Sequence, residues 1–173
     1  MPVPRTVSEA PFHIVLVRPE IPQNTGSIAR LAAATRSRLH LVGPLGFSLE
    51  DRYLKRAGLD YWPLVDVRVY QHWNEFERSH QEAPPAADFK YFSAHASKTY
   101  LQAEFHRDDF LVFGSETKGL GHEFLQPRGQ LAYRIPIFES GVRSLNLANA
   151  VSIILYEALR QSGQLSGKLV SGV

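Results

Sequence analysis

Short apolar runs rich in β-branched and aromatic residues recur along this chain, and stretches with helical spacing separate them. No other feature restricts the fold as much. Continuous apolar runs mark strands buried on both faces, and strands of that kind are joined by helical crossovers. The runs predict strands at Phe12–Val17, Leu39–Val42, Val65–Tyr70, Lys90–Ala94, Phe110–Gly114 and Ala132–Ile137. Helices are expected at about Asn24–Thr35, Leu49–Ala57, His72–His80, Gly121–Gln126 and Ser144–Gln161. The last is the clearest: Leu145, Ala148, Ser152, Leu155 and Leu159 form one stripe, flanked by Val151, Ile154 and Ala158, and Gly163 stands where a stop is expected. The class is therefore α/β, a parallel sheet with helices on both faces.

At 173 residues the chain suits a single domain spanning 1–173. Residues 1–11 and 163–173 read as flexible tails, and residues 83–87 (APPAA) as a surface loop. The sequence contains no cysteine, which excludes disulfides, cysteine nucleophiles and cysteine zinc sites and fits a cytoplasmic protein. Neither a signal peptide nor an apolar run of membrane-spanning length is visible. A net charge of +2 permits an RNA partner without demanding one.

Three segments combine glycine, polar groups and charge directly after a strand: 19–30 (PEIPQNTGSIAR), 114–121 (GSETKGLG) and 136–149 (PIFESGVRSLNLAN). In open parallel sheets ligands bind beyond the carboxyl ends of the strands, so the three loops could share one crevice. The familiar motifs do not fit. The glycines at 114, 119 and 121 make neither a Walker loop nor GxGxxG. No HExxH or other close histidine pair suggests a metal, and no GxSxG suggests a serine hydrolase.

Taken together and in order, the three segments resemble the motifs of the TrmH-type SPOUT RNA 2′-O-methyltransferases. Asn24 followed six residues later by Arg30 resembles the first, Gly114-Ser-Glu116-Thr-Lys-Gly119-Leu the second, and Ile135-Pro136 with Ser144-Leu-Asn146-Leu-Ala-Asn-Ala the third. PEIP at 19–22, NTG at 24–26, RAGLDY at 56–61 and NAVS at 149–152 point to the small single-domain TrmL-type branch, and the likeness spans about residues 12–162. The chain departs from that pattern before Phe12, after Gln161 and at 140–142.

The resemblance implies a SPOUT fold with a C-terminal trefoil knot, a homodimer with shared active sites, S-adenosylmethionine as cofactor, and tRNA as partner. The reaction it implies is methylation of the wobble pyrimidine's ribose 2′-hydroxyl. It places His95, Gly114, Glu116, Gly119, Ile135 and Ser144 at the cofactor, and Arg30, Asn24, Glu116, Ser144 and Asn146 in the catalytic machinery.

Residue chemistry qualifies those roles. Glycine at 114 and 119 suits close backbone approach or a plain turn. Ser144 suits a cofactor contact or a helix N-cap, and Asn24 and Asn146 suit loop-fixing or local capping. His95 suits a cofactor contact or a free loop position. Methyl transfer requires an activated oxygen, yet a guanidinium is a poor base. Arg30 is therefore read as positioning the hydroxyl and stabilising the developing alkoxide, with a deprotonated Arg30 as the alternative. Arg52, Lys55 and Arg56, with Arg143, could meet RNA phosphates or form a solvated face. Tyr156 suits either the dimer interface or the core. The rival functions are a ribosomal-RNA 2′-O-methyltransferase, a non-catalytic RNA- or cofactor-binding protein, and an unrelated nucleotide-binding α/β protein.

Overall fold

A computed structural model of the chain describes residues 10–58, 61–80 and 87–166. The two segments read as tails lie largely outside the described residues, as does most of the 83–87 loop.

Seven strands form one sheet: β1 (His13–Val17), β2 (Arg38–Val42), β3 (Val67–Tyr70), β4 (Phe89–Phe92), β5 (Lys98–Thr99), β6 (Phe110–Phe113) and β7 (Ala132–Arg134). Their order is β3-β2-β1-β6-β4-β7-β5, and every neighbouring pair is parallel. All seven carboxyl ends therefore lie along one edge. From β1 the chain winds outward to β2 and β3, then crosses to the other side, so the order reverses between β1 and β6. A reversal of this kind opens a crevice above the sheet.

The expected parallel class is observed, with local differences that have physical causes. β5 spans two residues, too few for a periodic signal. β7 stops before Pro136, which has no N–H for the ladder.

Among the described residues the α-helices are α1 (Pro22–Thr35), α2 (Arg52–Gly58), which packs on α1, α3 (Trp73–Ser79), α4 (His122–Leu125) and α5 (Leu147–Gln161). α1 starts two residues earlier than expected because Pro22 fits the first helical turn, where its missing N–H is no loss. α2 starts at Arg52 because the Asp51 carboxylate accepts from the Tyr53 and Leu54 amides at 2.7 and 3.4 Å. α5 begins at Leu147, not Ser144, because the capping side chain belongs to Asn146.

Alternate strand residues feed two cores, as the pleat requires. Ile14, Leu16, Leu39, Leu41, Leu111 and Phe113 pack with Ile28 and Ala32 of α1 and Val151, Ile154 and Leu155 of α5. Val15, Val17, Val42, Phe110 and Val112 pack with Phe76 of α3, with Phe124 and Leu125 of α4 alongside. The sheet thus holds α1 and α5 rigidly on one face and brings their amino ends to the edge where the strands terminate.

Two buried polar groups lie away from that edge. His13 Nδ1 and His40 Nε2 are 2.9 Å apart, and His40 Nδ1 is 3.1 Å from the Tyr70 hydroxyl. The Lys90 ammonium donates to the Asp109 carboxylate at 2.6 Å, with both side chains buried. Asp109 also accepts from the Asp88 and His106 amides. Asp88, His106 and Asp109 are the one cluster, among the described residues, whose ligand atoms are close enough to hold a metal. The Asp109 oxygens there already serve this structural ion pair.

Candidate active site at the carboxyl edge of the sheet

The loop after β6 crosses the crevice and ties down the start of α1. Glu116 Oε2 accepts from the Glu20 amide at 2.7 Å, and Oε1 accepts from the Ile21 amide at 3.0 Å and from Asn24 Nδ2 at 3.3 Å. Ile21, the residue capping α1, has no polar side chain of its own. A carboxylate 95 residues away in sequence therefore serves as acceptor and counter-charge at this helix end. Thr117 adds a second tie, its hydroxyl donating to the Glu20 carboxylate at 2.7 Å. That bond is the main reason the Glu20 carboxyl titrates below its ordinary range.

From Asn24 the network runs on to α5. Asn146 Nδ2 donates to Asn24 Oδ1 at 3.0 Å, and Asn146 Oδ1 accepts from the Ala148 and Asn149 amides at 2.9 and 3.3 Å. Asn24 is thus no helix cap; it lies inside α1, buried, and bridges Glu116 to Asn146. Glu116, Asn24 and Asn146 join the three sequence segments through one relay of side chains, which accounts for those residue types. A carboxylate only accepts, and each amide both accepts and donates.

The glycines of the 114–121 loop have different tasks. Gly119 adopts φ +62°, a left-handed conformation, and space is open where a side chain would begin. Gly121 likewise has φ +85° and open space. At Gly114 a Cβ would lie 2.0 Å from the Gly119 carbonyl carbon. The crowding that demands glycine at 114 is contact with its own loop, which closes through reciprocal Ser115–Gly119 backbone bonds at 3.2 and 2.9 Å.

The remaining site residues lie on neighbouring loops. His95 follows β4, and Ser144 and Arg143 precede α5; all three are exposed, and their side chains bond no described residue. Ile135 follows β7 half-buried against the core, and Phe138 beyond it is fully exposed. Arg30 lies six residues along α1 from Asn24, about 9 Å of helix rise. It does not join the relay. Its guanidinium stacks 4.7 Å from the centre of the Tyr61 ring. On α2, Lys55 pairs with Glu50 at 2.6 Å, and Arg52 lies over Tyr53 and donates to its hydroxyl at 2.8 Å; Arg56 is exposed. Exposed basic side chains at Arg18, Lys118, Arg134 and Arg143 stand on the loops and strand ends of the same edge.

Three participants escaped the sequence reading: Glu20, Thr117 and Tyr61. All three stand inside the motifs quoted above, but their partners lie tens of residues away, so the motifs gave them no role.

A cofactor with an apolar base and a polar tail fits this edge. Open space flanks the Gly119 and Gly121 backbone, Ile135 supplies half-buried apolar surface, and three loops from the adjacent strands β6, β4 and β7 surround the position.

Known proteins resemble this chain in sequence and in fold. The SpoU rRNA Methylase family matches residues 11–156. A Burkholderia ambifaria protein named tRNA (cytidine(34)-2'-O)-methyltransferase is 44% identical over 154 residues, covering 88% of this chain and 96% of its own length. A solved structure concerned with 2-OH methylation of C/U34 on tRNA superposes with a TM-score of 0.80 at 45% identity, covering 91% of this chain and 97% of that one. The SpoU methyltransferase AviRb from Streptomyces viridochromogenes, in complex with AdoMet, superposes with a TM-score of 0.76 at 26% identity, over 92% of this chain and 63% of the longer AviRb chain. The family match covers most of the chain and the curated relative is alike almost end to end, so this chain belongs to the SpoU methylase family of RNA-modifying methyltransferases.

Proposed function

We propose that this protein transfers the methyl group of S-adenosylmethionine to the ribose 2′-hydroxyl of the wobble pyrimidine, position 34, of tRNA. The observation that carries the reading is the relay joining Glu116, Asn24 and Asn146. It locks all three family segments into one edge, in a chain matching a wobble-specific relative over nearly its whole length.

Bound S-adenosylmethionine supplies an electrophilic methyl group on a sulfonium. The protein must then hold the ribose oxygen in line with that methyl and ease the loss of its proton. The loop at 114–121 and Ile135 form the cofactor's surroundings, with His95 and Ser144 facing it from neighbouring loops. Arg30 holds the 2′-hydroxyl and its adjacent phosphate through guanidinium N–H donors. As negative charge grows on the oxygen those bonds strengthen, and the proton passes to water. Glu116, Asn24 and Asn146 do not touch the reacting atoms; they fix the loop and both helix ends, so the donors need no reorganisation during the reaction. Arg52, Lys55, Arg56 and Arg143 meet tRNA phosphates, which add affinity without reading sequence.

The protein is read as a homodimer in the cytoplasm, forming one domain whose C-terminal part is tied in a trefoil knot. Exposed Val142, Ile153 and Tyr156, on the 136–146 loop and α5, support an interface there. Incubation with labelled S-adenosylmethionine and total tRNA from a strain lacking wobble 2′-O-methylation tests the reaction. Digestion and mass spectrometry should find a 2′-O-methyl pyrimidine nucleoside at position 34; label accepted only by ribosomal RNA in a parallel incubation would move the substrate, and transfer to neither RNA would reject the proposal.

A further inference from the structure

We infer that Tyr61 is a positioning residue: its ring holds the Arg30 guanidinium by stacking and leaves the N–H donors free for the RNA ribose and phosphate. The inference rests on Arg30 being the group that meets the 2′-hydroxyl.

Other arginines of the chain show what stacking avoids. Arg38 spends Nε and Nη2 on Asp66 at 2.6 Å, and Arg160 spends two donors on Glu157 at 2.8 and 2.9 Å. Their forks are occupied. Arg30 has no carboxylate or hydrogen-bond partner among the described residues; its contact is the Tyr61 ring at 4.7 Å. A guanidinium has five N–H groups around its rim and none on its face. Stacking engages the face alone, so orientation is gained and the rim stays available. A long exposed side chain otherwise samples many rotamers, and each turnover would have to order it.

The ring has a firm base. Tyr61 precedes a 3-10 turn, Trp62–Leu64, and its carbonyl accepts from the Leu64 amide at 2.8 Å. Trp62 and Val65, at the two ends of that turn, pack partly buried against the α1–α5 core. Tyr61 itself is 36% exposed, so it faces the solvent that RNA would displace.

The test is steady-state kinetics of the full-length protein with S-adenosylmethionine and tRNA, comparing Tyr61→Leu, Tyr61→Phe, Arg30→Ala, Arg30→Lys and the Arg30→Lys/Tyr61→Leu pair. Leucine keeps an apolar side chain at the position and removes the π face. Tyr61→Leu should lower kcat about two- to five-fold, the worth of an exposed cation–π contact. KM for both substrates should stay put, and Tyr61→Phe should restore the rate. In the Arg30→Lys background the leucine change should cost less, because an ammonium has no plane to stack.

Several results overturn the inference. A loss that Phe does not rescue would assign the effect to the hydroxyl. A loss appearing as a raised tRNA KM would make Tyr61 an RNA contact instead. An undiminished kcat in Tyr61→Leu, beside an inactive Arg30→Ala, would remove Tyr61 and leave Arg30 in place. A fully active Arg30→Ala would refute the reading of Arg30 itself. Should Tyr61→Leu unfold, Tyr61→Met takes its place beside Tyr61→Phe: a roughly two- to five-fold lower kcat in Met with a parental rate in Phe supports stacking, and a parental rate in Met contradicts it.

Discussion

Replacing Glu116 tests whether one carboxylate holds the site together. Its two backbone bonds, at 2.7 and 3.0 Å, are short enough to be strong, and the Asn24 bond at 3.3 Å is weaker. Solvent reaches both short bonds, so each is taken at about 1–1.5 kcal/mol net, the upper part of the ordinary range and below that of fully buried bonds to charged groups. Glu116→Ala should therefore cost about 2–3 kcal/mol. At this chain length each kcal/mol moves Tm by about 2–4 °C, so Tm should fall by roughly 4–12 °C. Glu116→Gln keeps one carbonyl acceptor but turns an NH2 toward amide donors, so it should fall between parent and Ala. The loop is then ordered only on binding, and S-adenosylmethionine affinity should weaken by up to about tenfold, or 1.4 kcal/mol. Thermal unfolding and titration calorimetry read the two effects. Asn24→Ala should be non-additive with Glu116→Ala, because the two share a bond. A Glu116→Ala Tm within 1 °C of parent, with unchanged affinity, would refute the claim that this residue fastens the loop to α1.

The glycines of the same loop should separate by mechanism. Gly114→Ala forces a Cβ to 2.0 Å from the Gly119 backbone and should abolish cofactor binding, whereas Gly119→Ala has room and should lose only about 1 kcal/mol of stability to its positive φ. Calorimetry giving equal affinities for the two variants would contradict this. Acid should destabilise the fold through its buried histidines. Burial is the main cause that pushes His13 down to about 3 and His40 well below its ordinary value, with Arg38 and His80 adding to it and Asp66 opposing at His13. The unfolded chain takes up these protons near pH 6.5, so the stability is whole above that and is lost as pH falls from 6.5 toward 3. The slope is about 1.4 kcal/mol per pH unit for each such histidine; urea midpoints that stay level between pH 6.5 and 5 would contradict it. Tyr156→Asp should convert the proposed dimer to a monomer of much lower activity. Light scattering together with transfer assays would expose a fully active monomer, which would sink the shared-site picture.

What could be read from sequence follows from the range of each interaction. β1 and β6 are buried on both faces and their apolar runs are plain in the sequence, as is the long apolar stripe of α5; β2 is equally buried, but Arg38 and His40 interrupt its pattern. β5 was illegible because pairing of Lys98 and Thr99 with β7, not local pattern, makes it a strand. The three segments were visible as unusual loops, yet nothing local states that Glu116 reaches Glu20 and Ile21 or that Asn146 reaches Asn24, 122 residues away. Ser144 and Asn146 are equally plausible caps by type; only the helix start at Leu147 decides between them. Gly114 illustrates the same limit, since its neighbour is its own loop five residues on.

The central claim is chemical: the methyl group goes to one ribose oxygen. Two tRNAs assembled by ligation, identical except that position 34 carries ribose in one and 2′-deoxyribose in the other, pose that question directly. With labelled S-adenosylmethionine the account predicts transfer to the first and none to the second. Equal labelling of both, or labelling of neither while ribosomal RNA accepts the methyl group, would contradict it.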